Sequence, residues 1–209
     1  MPRQERAVRT RNALIESAAE LFGRDGFELV SLAAISSRAG VSSGALHFHF
    51  PNKEALAEAV VLLAGQRLDD ITARPAGRPL QALIDALHCL TRALRSDVIL
   101  RAGFDLSWNP VRVRVTRDLR RTWQEWVEEV LRRAEREGSL AQGVDARDVA
   151  NTVVAAAAGF ETLGGRDPRW FSQATVTGFW ALLLPRLVDG PALGELVASG
   201  AVEEGVRHA

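Results

Sequence analysis

Apolar residues recur at three- and four-residue spacing through this 209-residue chain from Leu14 to Val188, and that period leaves helices as the economical architecture. Leu14, Ile15, Ala18, Ala19, Leu21 and Phe22 mark one face of a first helix, from about Thr10 to a stop at Gly26. The preceding residues carry Arg3, Arg6 and Arg9 against Glu5, with no apolar pattern. Ser31 can cap a second helix bearing Leu32, Ile35 and Ala39, which Gly40 ends by supplying a left-handed turn. Ser42 can cap a third, which runs only to about His49 because Pro51 disfavours helical geometry at Phe50. A fourth helix starts near Asn52 and continues to about Arg74, where a breaker cluster, residues 74–79, marks a boundary.

Beyond that cluster the pattern stays helical: residues 80–95, then about 97–107, then a long helix opened by Asn109-Pro110 and closed by Gly138. Asp145 caps a further helix to about Leu163, and Pro168 opens another to about Val188, with a weak amphipathic tail after Gly190. Val111, Val113 and Val115 alternate like a strand, yet no partner strand exists elsewhere. The expected class is all-α. Residues 1–52 form an N-terminal three-helix domain with a helix-turn-helix, residues 53–79 a linking helix and breaker segment, and residues 80–200 a larger C-terminal helical domain.

With 26 basic and 26 acidic residues the formal charge is zero, so any affinity for a polyanion must come from local charge. The single Cys89 excludes an intrachain disulfide and sits on an apolar helix face, where a core thiol is the simplest reading. No apolar signal core or run of roughly 18 apolar residues occurs, so a soluble, cytoplasmic protein without a membrane partner is expected. His47 and His49 are two apart and would project about 200° apart on a helix, and adjacent His88 and Cys89 about 100° apart. Neither pair can chelate one ion. No CxxC, HExxH, nucleophile-elbow, GxGxxG or Walker pattern occurs, so we expect no metal site, no cofactor and no catalytic residue.

The stretch GVSSGALHFHFPNKE, residues 40–54, instead suggests a different chemistry. Two short helices joined by a Gly-containing turn form a helix-turn-helix, whose second helix can enter the DNA major groove. Small residues at Ser43, Gly44 and Ala45 allow close approach, while Leu46 and Phe50, four apart, pack inward and leave Ser43 and His47 outward. Lys53, the only lysine, falls at a helix start where a cation and free N–H groups suit a phosphate. Any helical bundle can contain such a turn, so the pattern alone leaves the function open.

The wider segment from Arg11 to Val60 closely resembles the N-terminal domain of TetR-family transcriptional repressors. The shared features are Ile15, Ala18-Ala19, Leu21-Phe22, Gly26-Phe27, Ser31, Ile35, Ala39-Gly40-Val41-Ser42, Gly44, Leu46, His49-Phe50 and Asn52-Lys53-Glu54. Within that family GALHFHFPNKEALAEAV is most similar to the γ-butyrolactone receptors of actinomycetes, with Ser43 where lysine is frequent and His47 where tyrosine is usual. The resemblance implies a homodimer that binds a palindromic double-stranded operator. With the helix-turn-helix reading, it assigns DNA contact to Arg9, Ser31, Ser42, Ser43, Gly44, Ala45, His47, His49 and Lys53. It also implies that the last two long helices pair with a second subunit.

All five tryptophans lie beyond residue 80, and an apolar small molecule needs large flat walls. The γ-butyrolactone receptors use a tryptophan in this region. Counting back from Glu137-Gly138-Ser139-Leu140, which resembles their Arg-Gly-Glu-Leu turn, points to Trp123 first and Trp126 next. Trp108 precedes them, and Thr116, Asn151 and Thr162 are polar candidates for orienting the effector. The expected function is a repressor that releases DNA on binding a γ-butyrolactone-type signal or an antibiotic-related metabolite. The alternatives are a helical enzyme or carrier using a Trp-rich cavity, and an architectural DNA binder blind to ligand.

Overall fold

The computed structural model describes residues 2–73, 77–108 and 116–201. Among them the chain is helical throughout, with no strand, as its apolar period requires. The α-helices are α1 (Pro2–Asp25), α2 (Leu32–Arg38), α3 (Ser43–His49), α4 (Lys53–Thr72), α5 (Pro79–Ser96), α6 (Val98–Trp108), α7 (Leu119–Arg136), α8 (Ala146–Gly164) and α9 (Gln173–Leu187). Short 3₁₀ helices occupy Pro168–Phe171 and Gly190–Glu195. None of these helices is long and apolar enough to cross a membrane.

Three boundaries differ from expectation. The first helix starts at Pro2 rather than near Thr10: an initial proline and a run of Gln, Glu, Arg and Ala are good helix formers that need no apolar stripe. The helix expected from residue 110 begins at Leu119, where the Asp118 carboxylate accepts from the Arg121 amide at 3.1 Å. Asn109-Pro110 and the three alternating valines lie outside the described residues. Pro168 opens only a 3₁₀ turn, because Ser172 stops it and caps α9 by accepting from Thr175 at 3.2 Å.

The chain forms two compact units, Met1–Asp70 with Ser96–Thr122, and Ile71–Arg95 with Trp123–Ala209. In the first, α1 buries Leu14, Ile15, Ala18, Ala19 and Phe22 and packs along α6. The segment 96–122 is tied to α4 at several points. Arg67 pairs with Asp97, Glu58 accepts from the Thr116 amide and hydroxyl, and Arg117 grips Asp69 through two bonds of 2.8 and 2.5 Å. The Arg117 bond holds the Asp69 carboxyl below its usual pKa, so this contribution is full above about pH 4 and fades as acid protonates Asp69. Gly103 lets α6 approach α4 closely, since a Cβ there would stand 2.2 Å from the Ala64 Cβ and 3.2 Å from Leu119. Gly103→Ala gains helix propensity but must push two backbones apart. We expect a net loss of about 1–3 kcal/mol, read as a fall in Tm of roughly 3–10 °C; an unchanged Tm would show that the contact is not tight.

In the second unit α5 buries Leu80, Leu83, Ile84, Leu87, Leu90 and Leu94 along one face. On its polar side Gln81 pairs with both the amide and carbonyl of Val197, Asp85 accepts from Ala201 at 2.7 Å, and His88 donates to the Ala198 carbonyl at 2.9 Å. The C-terminal segment is thereby fastened to the helix.

Candidate nucleic-acid interface and the tryptophans

Residues 31–50 are shaped by two serine caps and one left-handed glycine. Ser31 accepts from the Ala34 amide at 3.1 Å and Ser42 from the Ala45 amide at 3.2 Å, fixing the first turns of α2 and α3. Between them Gly40, at φ +66°, donates to Ser37 at 3.2 Å while Val41 donates to Ser36 at 3.0 Å. This paired closure ends α2 and turns the chain into α3. Leu46 and Phe50 are buried and anchor the helix, while Ser43, Gly44, His47 and Phe48 are exposed. Ala45 is half-buried, and half-buried His49 lies between Phe48 and Phe50, with ring centroids 5.2 and 6.4 Å away.

Phe48 is 82% exposed. Reasoning from apolar pattern missed it because phenylalanine is assigned to the core by default. Helical arithmetic contained the signal: with Leu46 inward, a residue two positions on points about 200° away. Arg11 was also passed over, and its guanidinium stands 5.5 Å from the Phe50 ring centroid, beside the end of α3. Arg9 is exposed on α1.

Lys53 departs from its expected role as a phosphate contact. Its ammonium donates to the carbonyls of Phe27 at 2.8 Å, Val30 at 3.0 Å and Glu28 at 3.2 Å, and lies 4.4 Å from the Phe27 ring centroid. Three N–H donors are matched by three carbonyls, so the side chain clamps the α1–α2 connection to the start of α4. Lys53→Ala should therefore cost about 1.5–3 kcal/mol of stability and leave the salt dependence of DNA binding unchanged. A salt slope smaller by about one unit would restore Lys53 to the phosphate contacts.

The six expected effector residues are divided between the two compact units. Trp123 is buried, 3% exposed, and stacks on half-buried Trp126 at 5.2 Å. The Trp123 indole N–H finds no acceptor among the described residues, nor does that of fully buried Trp180. Trp108 and Thr116 belong to the other compact unit; Trp108 is 67% exposed beneath the Arg120 guanidinium, and Thr116 is held by Glu58. Asn151 and Thr162 are exposed on α8. A cleft of ≈ 500 Å³ opens between α7 and α8, but it is lined by Glu128, Arg132, Glu135, Asp145 and Arg147 and by none of the six. Its charge does not suit an apolar guest.

Residues 14–60 match the family described as bacterial regulatory proteins, tetR family. Over 207 residues the chain is 28% identical to the A-factor receptor protein of Streptomyces griseus, covering 97% of this chain and 72% of that protein. Among solved structures, a gamma-butyrolactone receptor (ArpA like protein) superposes with a TM-score of 0.77 at 31% identity, over 93% of this chain and 96% of the other. The TetR family protein CprB from Streptomyces coelicolor, in complex with its biological operator sequence, gives a TM-score of 0.75 at 31% identity, over 89% and 93% of the two chains.

Proposed function

Because this chain belongs to the tetR family of bacterial regulatory proteins, we propose that it is a cytoplasmic homodimeric repressor whose α3 reads a palindromic operator and leaves it when a small effector binds. Its relatives are regulators and receptors, not enzymes. The observation that carries the DNA-binding reading is the exposed face of α3, where Ser43, Gly44, His47 and Phe48 stand free of the core between two capped turns. Ser43 and His47 discriminate operators by meeting base edges or the adjoining backbone. Ser31 and Ser42 hold the helices in register through their caps. Arg9 and Arg11 supply phosphate contacts from α1, so Arg11→Ala should lower the slope of log Kobs against log salt by about one unit on every sequence. A slope equal to the parent's would remove Arg11 from the interface.

Residues 1–52 carry operator binding, 80–200 carry effector binding and dimerisation, and 53–79 link them. For the effector we propose an apolar molecule bearing a carbonyl acceptor, a description that a γ-butyrolactone fits. The supporting observation is Trp123: a buried indole N–H without an acceptor among the described residues is rare in a finished core, and a ligand carbonyl would satisfy it. Of the similar solved structures, CprB is described in complex with its operator sequence and another protein is described as a gamma-butyrolactone receptor, which favours the same reading. Effector binding favours a conformation whose two recognition helices are mis-spaced for adjacent grooves, and operator affinity falls by the effector's preference for that conformation. The test is an operator mobility shift titrated with synthetic γ-butyrolactones. Release at low concentration supports the proposal, and operator binding indifferent to every lactone contradicts the effector assignment.

A further inference from the structure

We propose that Phe48 is a specificity-determining residue that reads the C5-methyl group of a thymine in each operator half-site. This rests on the reading that α3 enters the major groove. A phenylalanine 82% exposed on a seven-residue helix does nothing for the core, which Leu46 and Phe50 already supply from the opposite face. Its ring stands nearly perpendicular to that of His49, 5.2 Å away between centroids, and its exposure shows that no neighbouring layer shelters it.

The chemistry of a benzyl group then narrows the partner. It carries no hydrogen-bond donor or acceptor, so it can satisfy neither a phosphate oxygen nor the polar edge of guanine, adenine or cytosine. The apolar feature of the major groove is the thymine methyl, which distinguishes T·A from every other base pair at that point. Gly44 lies one turn earlier on the same face as Phe48, and a Cβ built there would meet nothing within 4 Å. Helical side chains lean toward the N-terminus, so the position covered by Phe48 lies over the turn that Gly44 leaves bare. The ring and the missing side chain together make a shallow apolar step, flanked by the polar Ser43 and His47. Burying one methyl against it should strengthen binding about fourfold, and two half-sites should give about fifteenfold.

Deoxyuridine tests this directly, because it keeps the Watson–Crick pairing of thymine and lacks only the methyl. The highest-affinity duplex recovered by selection from random DNA would be resynthesised with each thymine replaced in turn by deoxyuridine, in both half-sites, and titrated by fluorescence anisotropy. The expected result is one symmetry-related pair of positions at which replacement weakens binding by roughly fifteenfold. Phe48→Ala should bind the thymine and uracil duplexes equally, while His47→Ala keeps the discrimination. Uracil-indifferent binding at every position, or full discrimination by Phe48→Ala, overturns the assignment. So does the pattern of a wedge between base steps, in which Phe48→Ala weakens binding but uracil has no effect. Failure to enrich any sequence would instead overturn the DNA-binding reading, and this assignment with it.

Discussion

Glutamate in place of Leu182 is expected to abolish specific operator binding while leaving the protomer folded. Leu182 is 85% exposed near the middle of α9, and Leu163 at the end of α8 and Trp170 in the following 3₁₀ turn are further large apolar residues left open to water. Buried Trp180 and Leu184 anchor α9 from its inner side, so a charge at Leu182 removes no core contact. In a dimer built on this face, the same charge is desolvated without a partner. A single seven-residue recognition helix touches few bases, and the symmetric second copy is what gives a palindrome its affinity. Without it, binding should fall to the nonspecific level, on the order of a thousandfold or more. Light scattering should show a monomer, and circular dichroism an intact helical signal. A Leu182→Glu protein that remains dimeric with parental affinity would place the interface elsewhere. Ala157, also on α8, is unsuited to the same test because it is buried within the protomer.

Trp123→Phe should uncouple DNA binding from the effector. Phenylalanine keeps an aromatic wall against Trp126 and deletes the N–H that finds no acceptor among the described residues. Removing an unsatisfied donor costs the apo protein little, and the stacking partner remains, so the fold and operator affinity should hold. Effector affinity should drop by about tenfold, the worth of one buried hydrogen bond of roughly 1.4 kcal/mol. Trp126→Phe should shift it far less. Trp180→Phe removes the other unmatched indole N–H and separates the two candidates: if it, and not Trp123→Phe, weakens induction, the ligand donor is Trp180. Equal induction in all three variants would make these tryptophans core residues only.

The helix-turn-helix was legible in the sequence because its determinants are local. Ser31, Gly40, Ser42 and Pro51 each act within a turn of where they stand, and the structure puts the ends of α2 and α3 where they require. The solvated start of α1 was not legible, since a helix with nothing to bury leaves no apolar period. The carbonyl partners of Lys53 were hidden for a related reason. Its position at a helix start is visible in the sequence, but the three carbonyls that occupy it come from residues 23 to 26 positions away. The grouping of Ser96–Thr122 with the N-terminal residues also depends on distant partners, such as Asp69 for Arg117 and Ala64 for Gly103. Tryptophan count suggested an effector wall, yet periodicity could not show that only Trp123 and Trp126 stack together.

Selection from random duplexes at about physiological salt decides whether α3 makes this chain a sequence-specific, dimeric reader of DNA. Purified protein should enrich an inverted repeat whose half-sites lie one helical turn apart, about 10–10.5 base pairs, or a multiple of that spacing. The enriched duplex should outcompete random DNA by about a thousandfold or more, and a protein with Ser43, His47 and Phe48 all changed to alanine should lose that preference. Recovery of duplexes with no shared motif, bound no more tightly than the starting pool, would contradict the account.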